Sequence, residues 1–210
     1  MNKNLNTLKL IVFFGALWGI FEATLGYLLH LIPVPFFAGS IMFPFAALIL
    51  MKAYKTLESR KALLGVGAVA AAIKAVNFFM PVFVWKVANP MASIIFETLV
   101  VVGIASLMVS RKPLTQAFGF VGASVAWRAL FLSWYAMQYA TTGFLADQIA
   151  SISTMATFAI LQGTFSGLLA YGLFKGFEAV QERLSIHFRV NLTGALIALL
   201  IAISLTIAPL

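Results

Sequence analysis

Residues 90–110 read PMASIIFETLVVVGIASLMVS, an apolar run that is interrupted by one charged side chain, Glu97. A helix that crosses a bilayer needs about 20 mostly apolar residues, so this run is long enough to span. The whole chain has the same character, since it is 62% hydrophobic and 10% charged, with a mean hydropathy of +1.03. Soluble domains carry more charge. We therefore expect an all-α integral membrane protein with one membrane domain over residues 1–210.

Seven apolar segments predict a polytopic bundle of six or seven transmembrane helices. The first is expected to be retained, because it holds Glu22 and lacks a signal-peptide cleavage site. The second is short and contains Pro44, and the pattern leaves open whether the last one spans. Residues 175–189 mix charged and apolar positions, which favours an amphipathic segment on the cytoplasmic surface. The predicted spans are residues 8–32, 36–51, 62–84, 90–110, 114–139, 151–174 and 192–209.

The basic residues fall in alternate loops of this predicted bundle. Eleven of the 14 lysines and arginines lie on one side, and Lys86 alone lies on the other. The positive-inside rule then places the N-terminus in the cytoplasm. Orientation in a bilayer accounts for the net charge of +8, so we expect no nucleic-acid partner. The eleven are Lys3, Lys9, Lys52, Lys55, Arg60, Lys61, Arg111, Lys112, Lys175, Arg183 and Arg189.

Four charged residues lie inside the apolar runs: Glu22, Lys74, Glu97 and Arg128. A charge at the centre of a bilayer costs roughly 2.5–3.5 kcal/mol, so these side chains must pair, line a wet cavity or bind a ligand. We expect Glu22, Lys74 and Arg128 near the midplane and Glu97 nearer the outer surface. Each is a candidate for function, and a structural ion pair is the alternative for each.

Helical spacing adds neighbours to these charges. Asn77 follows Lys74 on one predicted face, and Tyr135 follows Arg128 on another. The planar guanidinium of Arg128 suits a carboxylate or phosphate. Asn89 could add a neutral hydrogen bond, while Tyr135 could equally be an anchor at the membrane interface. The predicted substrate-binding residues are Glu22, Lys74, Asn77, Asn89, Glu97, Arg128 and Tyr135.

Motifs of catalysis are absent from the sequence. The chain has no cysteine, no H-E-x-x-H zinc motif and no Walker A loop, and residues 163–167 read GTFSG rather than G-x-S-x-G. We therefore expect no enzyme activity, no metal site and no cofactor. A chain without a Walker A loop cannot drive transport with ATP by itself.

The first predicted helix places Gly15, Gly19, Glu22 and Gly26 on one side, a pattern typical of close helix packing. The stretch 15–19, GALWG, together with the small-residue run of residues 65–72 and a stiff first loop at residues 33–37, resembles the S components of energy-coupling factor (ECF) transporters. The resemblance covers residues 8–174. It departs from the family where glycines replace the usual alanines and where a seventh helix follows.

The resemblance implies a small bacterial inner-membrane protein that captures a vitamin or a metal ion from outside. It also implies docking, through Gly15, Gly19 and Ala71, on a transmembrane coupling protein with two ATPase subunits. We therefore expect uptake of a small polar or carboxylated, vitamin-like solute through an outward-facing site. The alternatives are a self-contained proton-coupled carrier, with Glu22 or Glu97 as the relay, and a membrane assembly or scaffold protein with a structural charge network.

Overall fold

The computed structural model describes residues 3–31, 37–184 and 190–208, and over these residues the chain is helical with no strand. Most of the predicted stiff loop at residues 33–37 lies outside the described residues, as do Arg189 and the end of the last predicted span. The all-α expectation is thus confirmed for the part of the chain that is described.

Seven helices make up the described chain. Helix α1 covers residues 3–30, with a π-helical turn at Glu22–Gly26. Helix α6 covers residues 152–184, with a second π-helical turn at Thr157–Leu161. The others are α2, Phe37–Leu57; α3, Arg60–Ala75; α4, Trp85–Met108; α5, Pro113–Thr142; and α7, Leu192–Ile207.

Six of these helices, α1 to α6, are long and apolar enough to cross a membrane by length and composition. The α3 stretch reaches this length with its 3-10 extension, Val76–Phe79. Helix α7 is apolar but has only 16 residues. At 1.5 Å per residue it extends about 24 Å, less than the roughly 30 Å of a bilayer's hydrocarbon core.

The helices pack in a closed ring. Helix α1 packs on α3, α3 on α4, α4 on α5, α5 on α6, α6 on α2, and α2 returns to α1. Helix α2 also reaches α4, and α7 lies on the outside of α1. The side chains that face the middle of this ring therefore come from several helices.

Local sequence explains where most helices begin and end. Ser59, Ser151 and Asn191 accept hydrogen bonds from backbone N–H groups in the first turns of α3, α6 and α7. Pro113 takes the first position of α5, where a missing N–H costs nothing. Gly143 ends α5 with a φ of +72°, a conformation that glycine adopts without strain.

Two predicted boundaries next to prolines were wrong. The third predicted span runs to residue 84, but α3 ends at Ala75 and Met80 is extended, as a residue before a proline tends to be. The fourth predicted span begins at Pro90, but α4 begins at Trp85 and continues through Pro90. Pro44 likewise lies inside α2 without interrupting it.

The described part of the amphipathic segment predicted at residues 175–189 is the continuation of α6 and not a helix of its own. Helix α6 continues unbroken to Leu184, and its end is tied to the end of α2. Lys55 and Lys175 both pair with Glu178, and Lys52 donates to Gln181 at 2.7 Å. The basic ends of α2 and α6 therefore lie at the same end of the bundle.

Candidate functional site

Arg128 lies at the middle of α5, as the sixteenth of its 30 residues, and its side chain is fully buried. Its Nη1 donates to Ser124 Oγ at 2.8 Å and to the Ser124 carbonyl at 3.3 Å, one helical turn back. Its Nη2 donates to the Gly39 carbonyl at 3.1 Å and to Ser40 Oγ at 3.4 Å, both on α2. Neutral oxygens from two helices thus hold the guanidinium.

One edge of this guanidinium has no partner among the described residues. The Nε of Arg128 and the neighbouring indole Nε1 of Trp127 are both buried N–H donors without an acceptor. The guanidinium carbon lies 4.5 Å from the centre of the Trp127 ring and 5.6 Å from that of Phe158 on α6. Buried donors are normally satisfied, so two adjacent exceptions mark this place as unusual.

Glu97 lies at the middle of α4 rather than near its outer end. The helix begins five residues earlier than predicted, which makes Glu97 the thirteenth of 24 residues, and its side chain is only 3% exposed. Its Oε1 accepts a hydrogen bond from Ser93 Oγ at 2.8 Å. Glu97 and Arg128 are therefore at comparable depth in neighbouring helices.

Glu22 and Lys74 lie nearer one end of the bundle. Glu22 starts the π-helical turn of α1, is half-buried, and accepts a long hydrogen bond, 3.4 Å, from Trp18 Nε1. Lys74 was predicted to be central, but it is the second-last residue of α3 and half-buried. It makes no hydrogen bond with the described residues. The depth of Lys74 is set by its closeness to the end of α3 and not by the apolar residues around it in the sequence.

The four charges form an electrostatic chain without touching. Glu22 is within electrostatic range of Lys74 and of Glu97, and Glu97 is within range of Arg128. Among the described residues no nitrogen of Lys74 or Arg128 lies within 4.0 Å of a carboxylate oxygen. The alternative in which Arg128 simply holds Glu22 or Glu97 in a contact ion pair is not the arrangement found. The four charges are therefore related by electrostatic range and not by contact.

Two aromatic rings lie against Arg128, and the cluster to which they belong extends to Phe96, the residue before Glu97. Phe131, one turn after Arg128, is the centre of this aromatic cluster. Its ring centre lies 6.3 Å from that of Phe96, the residue before Glu97, and 4.7 Å from that of Tyr135. The cluster consists of Phe43, Phe96, Trp127, Phe131, Tyr135 and Phe158.

Two predicted site residues have other positions. Asn89 lies near the start of α4, where its Oδ1 accepts hydrogen bonds from Trp134 Nε1, at 2.9 Å, and from Gln138 Nε2. These bonds join α4 to α5. Asn77 lies in the 3-10 turn after α3, and its side chain makes no hydrogen bond with the described residues. Of the predicted set, Tyr135 belongs to the aromatic cluster and Arg128 lies against two of its rings, while Glu97 is within electrostatic range of Arg128 and of Glu22.

The predicted docking face is covered from within the chain. A Cβ atom at Gly15 would lie 2.5 Å from Val69 Cβ, and one at Gly19 would lie 2.9 Å from Ile73 Cδ1, both on α3. Ala71 is 6% exposed and belongs to the hydrophobic core. Packing of α1 on α3 accounts for the two glycines, so a partner that docked on them would first have to displace α3.

Sequence reasoning missed several residues of the site. Ser124 precedes Arg128 by four residues and shares its predicted face, but it was not among the predicted substrate-binding residues. Gly39 and Ser40 carried no signal, since only the packing of α2 against α5 brings them to Arg128. Phe158 lies in the π-helical turn of α6, a feature often found at functional sites.

No protein-family model, curated protein or solved structure matches this chain. Six long apolar helices are what a multi-pass membrane protein requires, and the fold suggests this class. In the described ranges, no three His, Cys, Asp or Glu side chains are grouped so that they could hold a metal ion. The chemistry of the site is therefore that of a buried guanidinium, a buried carboxylate and aromatic rings.

Proposed function

We propose that this chain is a multi-pass protein of a bacterial cytoplasmic membrane that binds a small polar or carboxylated solute inside its helix ring and serves in its uptake. The observation that carries this proposal is the pair Arg128 and Glu97. Both are buried in the middle of long helices, and neither is in contact with an oppositely charged side chain among the described residues. A ligand that contacts both would supply the missing partners.

The outer surface of the ring supports placement in a membrane. Large apolar side chains on the outward faces of different helices are well exposed, among them Phe118 at 66%, Phe165 at 57% and Leu200 at 64%. In water such a surface would be costly, whereas in a bilayer these side chains face lipid tails. The exposed apolar surface and the six long helices favour a multi-pass arrangement.

The distribution of charge supports a cytoplasmic N-terminus. The contacts of Glu178 with Lys55 and Lys175 hold the basic ends of α2 and α6 together. Because α1 and α2 run in opposite directions, the N-terminus of α1 lies at this same end of the bundle. At the same end, Arg60 is the first residue of α3 and Lys112 directly precedes α5. By the positive-inside rule the end that holds these cations faces the cytoplasm.

Energetics favour a bound solute over an empty charge network. Two isolated charges taken out of water cost several kcal/mol each, and contact between them is what normally recovers this cost. Arg128 recovers part of it from neutral oxygens, but Glu97 has one serine hydroxyl. A solute with an acceptor group for Arg128 would stabilise the bundle as well as bind to it.

In the form that the sequence resemblance suggests, the chain is an S-component-like subunit that captures a vitamin-like solute from outside and works with a transmembrane coupling protein and two ATPases. Because α3 covers Gly15 and Gly19, the contact with such a partner is assigned to another surface or follows a movement of α3. Capture of the solute at Arg128 does not depend on which of these holds.

The test is to identify what the protein retains. The tagged full-length chain is extracted from native membranes with detergent, denatured, and the released small molecules are measured by mass spectrometry. We expect one solute to be enriched with the wild-type chain and with Lys86→Gln, an exposed-lysine control, and to be lost with Arg128→Gln. A wild-type chain that retains no solute, and that shows no solute flux in liposomes with or without co-purified partners, would favour the scaffold alternative.

A further inference from the structure

We infer that the solute is a zwitterion, an amine-bearing carboxylic acid whose carboxylate binds at Arg128 and whose ammonium group binds at Glu97. This inference rests on the proposed function and narrows its substrate class. Three observations support it. Arg128 and Glu97 are not in contact, the N–H donors of Arg128 Nε and Trp127 Nε1 have no acceptor among the described residues, and the formal charges of the four-residue set sum to zero.

The first argument is the balance of charge. Glu22 and Glu97 are formally negative, and Lys74 and Arg128 are formally positive, so the set sums to zero. A monovalent anion or cation would leave one uncompensated charge among buried apolar side chains. A zwitterion adds a positive and a negative group together, so the sum stays at zero and each new charge has a partner.

The second argument is the donor edge of Arg128. Two N–H groups of neighbouring residues, Nε of Arg128 and Nε1 of Trp127, are buried and have no acceptor in the described part of the chain, although both Nη atoms of Arg128 are bonded. A carboxylate has two oxygens that accept several hydrogen bonds, so it offers acceptors for donors of this kind and also compensates the charge of Arg128. A neutral carbonyl would satisfy them without compensating the charge, and is the poorer match.

The third argument is the surroundings of Glu97. Its Oε1 already accepts a hydrogen bond from Ser93, and the adjacent Phe96 ring meets Phe131 in an edge-on contact. An ammonium group would donate to the Glu97 oxygens and supply the opposite charge that no described residue places in contact with them. Phe131 lies one turn from Arg128 on α5, so the apolar body of the solute would lie along this ring.

The test uses matched compounds that differ only in charge. One set is L-phenylalanine, 3-phenylpropionate and 2-phenylethylamine, and the other is 4-aminobutyrate, butyrate and butylamine. Binding to the purified full-length chain in detergent is measured by calorimetry at pH 7. In at least one set we expect the zwitterion to bind wild type at least about tenfold more tightly than either singly charged analogue, because each analogue leaves one buried group unpaired.

Variants of Glu97 and Arg128 test whether the preferred compound changes when the formal charge of the set changes. Glu97→Gln gives the set a formal charge of +1, so the preferred compound should become the anion. Arg128→Gln gives −1, so the preferred compound should become the amine. Arg128→Lys keeps the sum at zero and should keep the zwitterion preference with weaker binding, because lysine lacks the planar fork. Lys86→Gln should behave as wild type.

Each outcome decides the inference. Equal or tighter binding of an anion to wild type, an unchanged preference in Glu97→Gln, or no binding by any of the six compounds would overturn it. If Arg128→Gln does not fold, Glu97→Gln and Arg128→Lys still give the answer. A singly charged solute retained from native membranes would refute the zwitterion and leave the proposed function standing, whereas no retained solute together with no solute flux in liposomes would refute both.

Discussion

Arg128 on α5 donates a hydrogen bond to the backbone carbonyl of Gly39 on α2, with 3.1 Å between Nη2 and the oxygen. This bond joins helices that are 89 residues apart in the chain and fixes the guanidinium without using an acidic side chain. The same residue therefore joins the two helices and, in the proposed function, offers its remaining N–H to a ligand. Its two roles predict different responses to substitution.

Arg128→Ala should remove the bound solute and also destabilise the folded protein. The hydrogen bonds of a charged group contribute about 1.5–3 kcal/mol each, and alanine removes those to Ser124 and Gly39. Arg128→Lys should keep the charge and lose only part of this stability. The measurements are the thermal unfolding midpoint in detergent and the amount of solute retained. The variant should still be found in the membrane fraction.

A different pattern would contradict this assignment of roles. If Arg128→Ala unfolded no earlier than wild type and retained its solute, the residue would be neither a helix tie nor a ligand group. If it left no folded protein and the wild type retained no solute, the residue would be purely structural. Lys86→Gln, at an exposed position near the start of α4, controls for the loss of one positive charge.

Gly15→Ala should destabilise the protein, because α3 leaves no room for a methyl group at this position. A Cβ there would lie 2.5 Å from Val69 Cβ and 2.8 Å from the Val66 carbonyl oxygen. Forcing an atom into a packed interface costs typically 1–3 kcal/mol. The matched control is Gly172→Ala on α6, where nothing lies within 4 Å of the added atom.

The control should be neutral or slightly stabilising, since alanine is favoured over glycine in a helix by roughly 0.5–1 kcal/mol. Unfolding midpoints of the two variants in the same detergent give the comparison. Equal midpoints for Gly15→Ala and Gly172→Ala would show that α1 and α3 are not packed closely at Gly15. The Gly15/Gly19 face would then be free for a partner, as the sequence resemblance implied.

Much of the fold was predictable, because apolar run length fixes where long helices form. Residues 114–139 were predicted as a span, and α5, Pro113–Thr142, covers all of them and extends slightly beyond both ends. The short run after Pro33 was underestimated, since α2 continues past Met51 through Lys52 and Lys55, whose side chains reach α6. A neighbouring helix can stabilise a helix end that carries charged residues. A hydropathy pattern assigns such residues to a loop, so it places the end of the helix too early.

The site was predictable in its charges but not in its contacts. Charge inside an apolar run identified Glu97 and Arg128 without any structure. Their depth depended on helix ends that lie beyond prolines, and the reading of Pro90 as a helix start displaced Glu97 towards the surface. The acceptors of Arg128 on α2 are tertiary contacts, and no spacing rule connects residues 39 and 128.

Asn89→Leu should destabilise the protein more than Asn89→Asp. The Oδ1 atom of Asn89 accepts from both Trp134 and Gln138, and leucine would leave these two donors without an acceptor. An unsatisfied buried donor costs about 1–3 kcal/mol. Aspartate keeps the oxygen in place, so its effect should be smaller. Unfolding midpoints of both variants provide the test, and solute binding should persist in Asn89→Asp.

Equal loss of stability in the two variants would mean that the side-chain oxygen is not what joins α4 to α5. Loss of solute binding in Asn89→Asp with normal stability would instead return Asn89 to the binding site, where the sequence first placed it. The two readouts together separate a helix-joining residue from a ligand-contacting one.

Single-cysteine labelling should reveal the orientation of the chain, because the wild type has no cysteine and every label reports one position. Lys112 and Asp147 lie at opposite ends of α5, at its start and after its end. In the proposed orientation, a membrane-impermeant maleimide added to intact cells should label Asp147→Cys and not Lys112→Cys. Lys112→Cys should react once the membrane is opened. The reverse pattern would place the basic end outside and refute a cytoplasmic N-terminus. Labelling of Ala208→Cys, just past α7, would follow Asp147→Cys if α7 crosses the membrane and Lys112→Cys if it does not.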